Sequence, residues 1–218
     1  MIKRFIEVDG RMLFPIAGQQ RIAYTLSGST DFYELKERAA HGGHPGTVIK
    51  FYDYRRRRVV QPFEQKPNVM YSAPIFSWNH YFFLQCDYGE KVLRLYRYIP
   101  ERPLVLFEEL DLTGVDLYNL RLLGDAPHII SQNGEWFRCY YPEQFSFALQ
   151  PNETACVIEE DKVYLEAWVE EGWDDEHDCA GPDYKFYDKV IVKDFSGNTL
   201  SEEVGSLNQG PDGDWWIS

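Results

Sequence analysis

The residues best suited to chemistry lie in one segment. Glu170-Glu171-Gly172-Trp173-Asp174-Asp175-Glu176-His177-Asp178-Cys179-Ala180-Gly181-Pro182-Asp183 gathers carboxylates, an imidazole and a thiol. Clustered carboxylate oxygens suit hard cations, and an added histidine suits zinc or iron. The spacing does not match a calcium-binding EF-hand loop, because no glycine stands at the sixth position and no glutamate at the twelfth. The segment reads as a solvated acidic loop, with no metal and no cofactor expected. Dense negative charge attracts basic partners over long range. Trp173, Asp174, Asp175, Glu176, His177 and Asp178 are therefore the candidate binding residues, and a basic protein or peptide is the expected partner.

Other constellations are weaker. His41-Gly42-Gly43-His44-Pro45-Gly46 offers two imidazoles, but two ligands do not make a metal site, and the glycines and Pro45 fit a connector. The chain has no Gly-x-Ser-x-Gly elbow and no phosphate-binding glycine loop. Cys179 follows His177 by two positions, a spacing that rarely gives catalytic geometry, while Cys86 and Cys139 fall in apolar strand patterns and read as buried. Asn152-Glu153-Thr154 matches a glycosylation acceptor that has meaning only with export. The six tryptophans, Trp78, Trp136, Trp168, Trp173, Trp215 and Trp216, are expected mostly in the core. Trp173 is the hardest to place there, and adjacent Trp215 and Trp216 must face opposite ways if they lie on a strand.

Charge narrows the partner class. Residues from Glu153 to Ser218 carry 18 Asp or Glu against 4 Lys, whereas residues 1 to 152 carry 17 acids and 18 bases, so the whole excess of the −13 net charge lies in the last third. A phosphate backbone would be repelled there, and nucleic-acid binding is not expected. The one basic run, Arg55-Arg56-Arg57-Arg58, reads as a solvated hairpin turn. No uncharged apolar run reaches the roughly 18 residues of a membrane span, and acids interrupt the N-terminal region before a signal-peptide core develops. Four cysteines without a Cys-x-x-Cys pair point to reduced thiols and a cytoplasmic location.

The elements that must position these groups are strands. Short alternating or apolar runs recur at residues 47–52, 81–86, 92–98, 103–107, 135–141, 145–149, 162–169 and 189–195, separated by turn signals such as Asn133-Gly134 and Ser196-Gly197-Asn198. The stretch from Asp31 to Ala40 predicts one short helix, and Leu110 to Leu123 fits either a strand pair or a short helix. A weak repeat lays Ala73-Pro74 through Cys86 over Ala126-Pro127 through Cys139, with a looser third copy near Asp212-Gly213. A period near ~50 residues suits a propeller blade. The expected fold is a single all-β domain spanning residues 1–218. It is either a small β-propeller-like repeat of hairpins with about four blades, closed by the C-terminal strand joining the first blade, or a two-sheet β-sandwich.

These readings favour a non-enzymatic binding protein that presents an acidic, aromatic-bearing surface to a basic partner. The rivals are a hydrolase acting on a carbohydrate or other polar small molecule, with carboxylates supplied by distant loops, and carbohydrate binding without catalysis. Whether the chain is an enzyme is left open by its residues.

Overall fold

A computed structural model of the chain describes residues 2–41, 43–174 and 176–218. It is all-β with one short helix, as the alternating patterns and turn residues require. The first sheet contains β1 (Phe14–Pro15), β2 (Ile22–Leu26), β3 (Ile49–Asp53) and β4 (Arg58–Val60) in that order, with helix α1 (Phe32–Ala40) between β2 and β3. The second contains β5 (Val69–Tyr71), β6 (Ile75–Ser77), β7 (His80–Asp87), β8 (Val92–Tyr98) and β9 (Val105–Asp111), with β5 and β6 sharing one edge of β7. The third is the meander β10 (Arg121–Leu123), β11 (His128–Gln132), β12 (Trp136–Tyr141) and β13 (Phe145–Ala148). The fourth is β14 (Glu153–Glu159), β15 (Lys162–Asp174), β16 (Cys179–Asp194) and β17 (Thr199–Val204), and a hairpin of β18 (Leu207–Gln209) and β19 (Trp215–Ile217) ends the chain. All pairings are antiparallel, and no sheet closes on itself.

Three apolar clusters join these sheets in sequence order. Ile22, Ile49 and Phe51 of the first sheet pack on Tyr71, Tyr81 and Phe83 of the second. Phe82, Leu84 and Cys86 leave the opposite face of β7 and meet Phe32 and Leu35 of α1 and Leu122 and Ile129 of the third sheet. Phe137, Cys139 and Phe147 then pack on Val163, Leu165 and Ile191 of the fourth. Because β7 is buried on both faces, its sequence is a continuous apolar run and not an alternation. The result is a succession of packed antiparallel sheets. The C-terminal hairpin returns to the first sheet through its turn: a Cβ on Gly213 would lie 2.8 Å from Gly18 Cα, so only glycine permits this approach. The expected closure by strand addition is therefore corrected, since β19 pairs with β18 in a separate two-stranded sheet.

Local signals account for several boundaries. Asp31 caps α1 by accepting hydrogen bonds from the N–H groups of Tyr33 (2.9 Å) and Glu34 (3.1 Å). Asp53 Oδ1 accepts from Arg55 N and Arg56 N, which shapes the exposed arginine turn, while its Oδ2 lies 2.7 Å from Arg21 Nη2. Burial pushes the Asp53 carboxyl up, but the Arg21 guanidinium and the two backbone donors outweigh it and hold the group below its ordinary value. Glu101 joins Arg21 to Arg56, so part of the basic run is neutralised. The Leu110–Leu123 stretch resolves into the end of β9, a 3₁₀ turn at Leu112–Gly114 and β10.

The repeat joins strands that are not equivalent. Ala73 to Cys86 holds β6 and β7, the first two positions of the second sheet, whereas Ala126 to Cys139 holds β11 and β12, the middle two of the third. Hairpins of similar chemistry recur at every strand pair, so such a repeat does not fix the phase of a blade.

The fourth sheet holds a buried ion pair beside its contact with the third. Lys193 Nζ lies 2.7 Å from Glu153 Oε2, with side-chain exposures of 8% and 5%. Glu153 Oε2 also accepts from Gln150 N (3.0 Å), and Lys193 sits 5.7 Å from the centre of the Phe147 ring. Gln132 of β11 donates to Glu153 O and accepts from Ala155 N, tying the sheets through a second buried polar group. Replacing Glu153 with Gln leaves Lys193 charged and uncompensated, a loss of about 3–5 kcal/mol. This corresponds to a melting temperature lower by about 10 °C for a chain of this size. Thermal unfolding followed by circular dichroism checks it, and the double variant Glu153→Leu with Lys193→Met is expected to recover most of the loss.

Candidate functional site

The acidic segment is a hairpin and not the loop read from composition. β14 pairs with β15 only as far as Ala167, and β17 pairs with β16 only from Lys189, yet β15 and β16 continue to pair with each other from Trp168↔Asp188 to Asp174↔Cys179. Residues 168–188 therefore form a two-stranded arm projecting from the fourth sheet. Both of its edges lack a neighbouring strand among the described residues. Composition reads these charges as turn residues, but among the described residues only Glu176, His177 and Asp178 form a turn.

Gly172 gives the arm its shape. It sits at a register shift between Glu171 and Trp173 with φ +75°, and a Cβ there would lie 2.8 Å from Asp183 O. Gly181 opposite is equally tight, its ideal Cβ lying 2.7 Å from Gly172 O. The bulge re-aims Trp173, whose ring lies 6.0 Å from that of Tyr184 in an edge arrangement.

Cross-strand register sorts the remaining side chains. Trp168 pairs with Asp188 and Glu170 with Phe186, so all four stand on one face, together with Tyr184, which donates to Glu170 Oε1 at 2.7 Å. Trp168 is 51% exposed and Phe186 60% on this face, and Trp173, 42% exposed, follows past the bulge beside Tyr184, so that aromatic residues succeed one another in a row along the arm among carboxylates. The other face carries Val169, Tyr187, Glu171 and Lys185, with Tyr187 donating to Glu171 at 2.8 Å. The bonds to Glu170 and Glu171 push the Tyr184 and Tyr187 hydroxyls above their ordinary values.

The candidate residues meet at the tip. Asp174 Oδ1 accepts from the N–H groups of Glu176 (3.0 Å) and His177 (3.2 Å), and Asp174 Oδ2 lies 2.9 Å from His177 Nδ1. The hydrogen bond from His177 holds the Asp174 carboxyl below its ordinary value, aided by the backbone donors. Asp174 and His177 thus have a local task in closing the turn. Glu176 and Asp178 are exposed, Trp173 stands at the base of the tip, and Asp175 lies outside the described residues. No group of three or more His, Cys, Asp or Glu suited to a metal forms among the described residues. His44 is held elsewhere, with Nδ1 accepting from Gly46 N and its backbone joined to Asn68, and His41 Nδ1 lies 2.8 Å from Glu37 O.

The tryptophan expectation is corrected. Trp78, Trp136, Trp168, Trp173 and Trp216 are all exposed and Trp215 is half-buried, because Phe, Leu, Ile and Tyr fill the clusters between sheets. Trp215 and Trp216 do face opposite ways. Sequence reasoning missed the aromatic row, although a signal was present: from Glu170 onward charges occupy both parities of the strand, which leaves no face to bury. The four cysteines are free, and burial pushes the thiols of Cys86 and Cys139 up to about 12 and that of Cys156 up to about 11.

Fold and site together define an all-β, multi-sheet protein with an acidic, aromatic-bearing β-arm. No helix is long and apolar enough to cross a membrane among the described residues. No protein-family model, curated protein or solved structure matches the chain.

Replacing Gly172 with Val forces a Cβ into the Asp183 backbone and is expected to disorder the arm while sparing the core. Hydrogen exchange should accelerate in residues 168–188 with the melting temperature nearly unchanged. Cys179, exposed beside the tip, should be the first thiol alkylated by iodoacetamide, with Cys86 and Cys139 reacting only on unfolding.

Proposed function

We propose that the protein is a non-enzymatic binding protein whose arm grips a basic protein or peptide. The observation that supports this reading is the set of exposed rings Trp168, Phe186 and Trp173 among Glu170, Asp174 and Glu176 on an arm whose strands pair only with each other. Aromatic faces attract guanidinium and ammonium groups, and surrounding carboxylates add charge-assisted hydrogen bonds. The open strand edges offer backbone donors and acceptors to an extended segment, so a basic peptide can be held by main chain and side chain together. Phosphate backbones are disfavoured by the same charge. Unpaired thiols suit a reducing, cytoplasmic setting.

Fluorescence anisotropy of a labelled oligo-arginine peptide tests the reading. Binding is expected to weaken steeply with salt and by about tenfold in a variant carrying Trp168→Ala and Phe186→Ala, which keeps every charge. Combined Glu170→Gln, Glu171→Gln, Asp174→Asn and Glu176→Gln should weaken it further. A control that neutralises Glu202, Glu203, Glu159 and Glu160 should bind nearly as well as the parent. Equal losses in the control and the arm variants, or none in the aromatic variant, would sink the proposal.

A further inference from the structure

A separate cavity of about 750 Å³ lies where all five sheets converge, a size within the roughly 300–1,000 Å³ of ligand sites. The first sheet contributes the Pro15–Gly18 turn, the second Ile75–Asn79, the third Leu122–Asp125, the fourth Cys156, and the C-terminal hairpin Gln209 and Asp212–Trp215. Contact between Gly213 and Gly18 closes one side. Ile16 and Leu122 are buried and Ile75, Phe76, Leu123 and Trp215 half-buried, whereas Asp125, Asp212, Asp214 and Trp78 are exposed. The cavity thus has an apolar floor and an acidic, aromatic rim.

Its charge is what selects a ligand. Three aspartates line it and no Lys, Arg or His does, among the described residues. A second cavity of about 480 Å³ shares Asp125, Asp214 and Trp215 with it, adds Glu159, and again contains no base. Three other cavities each contain at least one base: Arg11, His44 and Lys50 in one, Arg138 in another, Arg121 in a third. The lone cysteine of the lining has its thiol pushed up to about 11 by burial, so it adds no competing anion at neutral pH. Ser77 already donates to the backbone oxygen of Asp125, which fixes the rim between the second and third sheets.

From this cavity we infer that the convergence of the five sheets binds a small organic cation with an apolar body. The apolar part lies on Ile75, Phe76 and Leu122, and the ammonium sits at the rim between Asp125 and Asp214, near the Trp78 and Trp215 rings. A neutral sugar would leave three carboxylates without a counter-charge, and an anion would be repelled. The site is independent of the arm and holds whether or not the arm binds a peptide.

Isothermal titration with phenethylamine, benzyltrimethylammonium and spermidine, against glucose and phenylacetate as neutral and anionic controls, tests this. At least one cation is expected to bind with a stoichiometry of one. The variant Asp125→Asn with Asp214→Asn should weaken it by about tenfold, while the arm variants leave it unchanged. Its near-ultraviolet circular dichroism, unchanged from the parent, would establish that the variant is folded. Binding by glucose or phenylacetate in preference to the cations, binding by none of the probes, or cation binding lost only in the arm variants would overturn the inference. A misfolded double variant is replaced by Trp78→Leu, which should weaken the cations and leave the melting temperature near that of the parent.

Discussion

The ion pair between Glu153 and Lys193 carries more of the architecture than its place in one sheet suggests. Glu153 stands opposite Ala167 in the strand register, at the last residue of β15 that has neighbours on both sides. Beyond it the arm begins. A two-stranded ribbon has too little buried area to hold itself in water, so its direction is set by how firmly its base is fixed. That base is fixed by Glu153 of the buried pair and by Gln132 reaching across from the third sheet. A desolvated pair adds little net stability but tolerates few alternative geometries, and it selects one register for the strands that leave it.

Charge is divided between parts of the molecule with different tasks. In the first two sheets, acids and bases satisfy each other: Arg21, Asp53, Glu101 and Arg56 form one network, and Arg94 reaches both Glu90 and Glu109. In the fourth sheet and the C-terminal hairpin, most acids among the described residues lack a basic partner, since that part of the chain has only four lysines. Three of those, Lys162, Lys189 and Lys193, are taken up by Glu160, Glu202 and Glu153. The remaining field is negative around both the arm and the convergence of the sheets, and fields of one sign add in the concave regions between low-dielectric walls.

Much of the fold was legible. Asp31 at the head of a short apolar-periodic run and the break after Ala40 marked the helix, and Asn133-Gly134 marked a hairpin that is present. Cys86 and Cys139 read correctly as buried because apolar neighbours surround them in sequence. The arm was not legible as strand, since carboxylates have low strand propensity and their pairing is imposed by a hairpin that starts in the core at Lys162↔Asp194 and propagates outward. Trp168 looked like core because it continues the run Val163, Leu165, Ala167; it stands one residue past them on the opposite parity, and only the number of neighbouring strands decides which parity is covered. The sheet-convergence cavity was invisible because its lining comes from five turns far apart in the chain.

Exposed aromatic rings on open strand edges normally invite aggregation, and proteins that carry them place charges beside them. In this arm the two features are interleaved residue by residue: Trp168 stands opposite Asp188, Phe186 opposite Glu170, and Trp173 next to Asp174. Another copy of the same arm meets like charges at each ring, so self-pairing is opposed. A segment bearing Lys or Arg at alternate positions meets opposite charges in the same places. The arrangement that keeps the aromatic row from joining with itself therefore also fixes the sign of what it can hold.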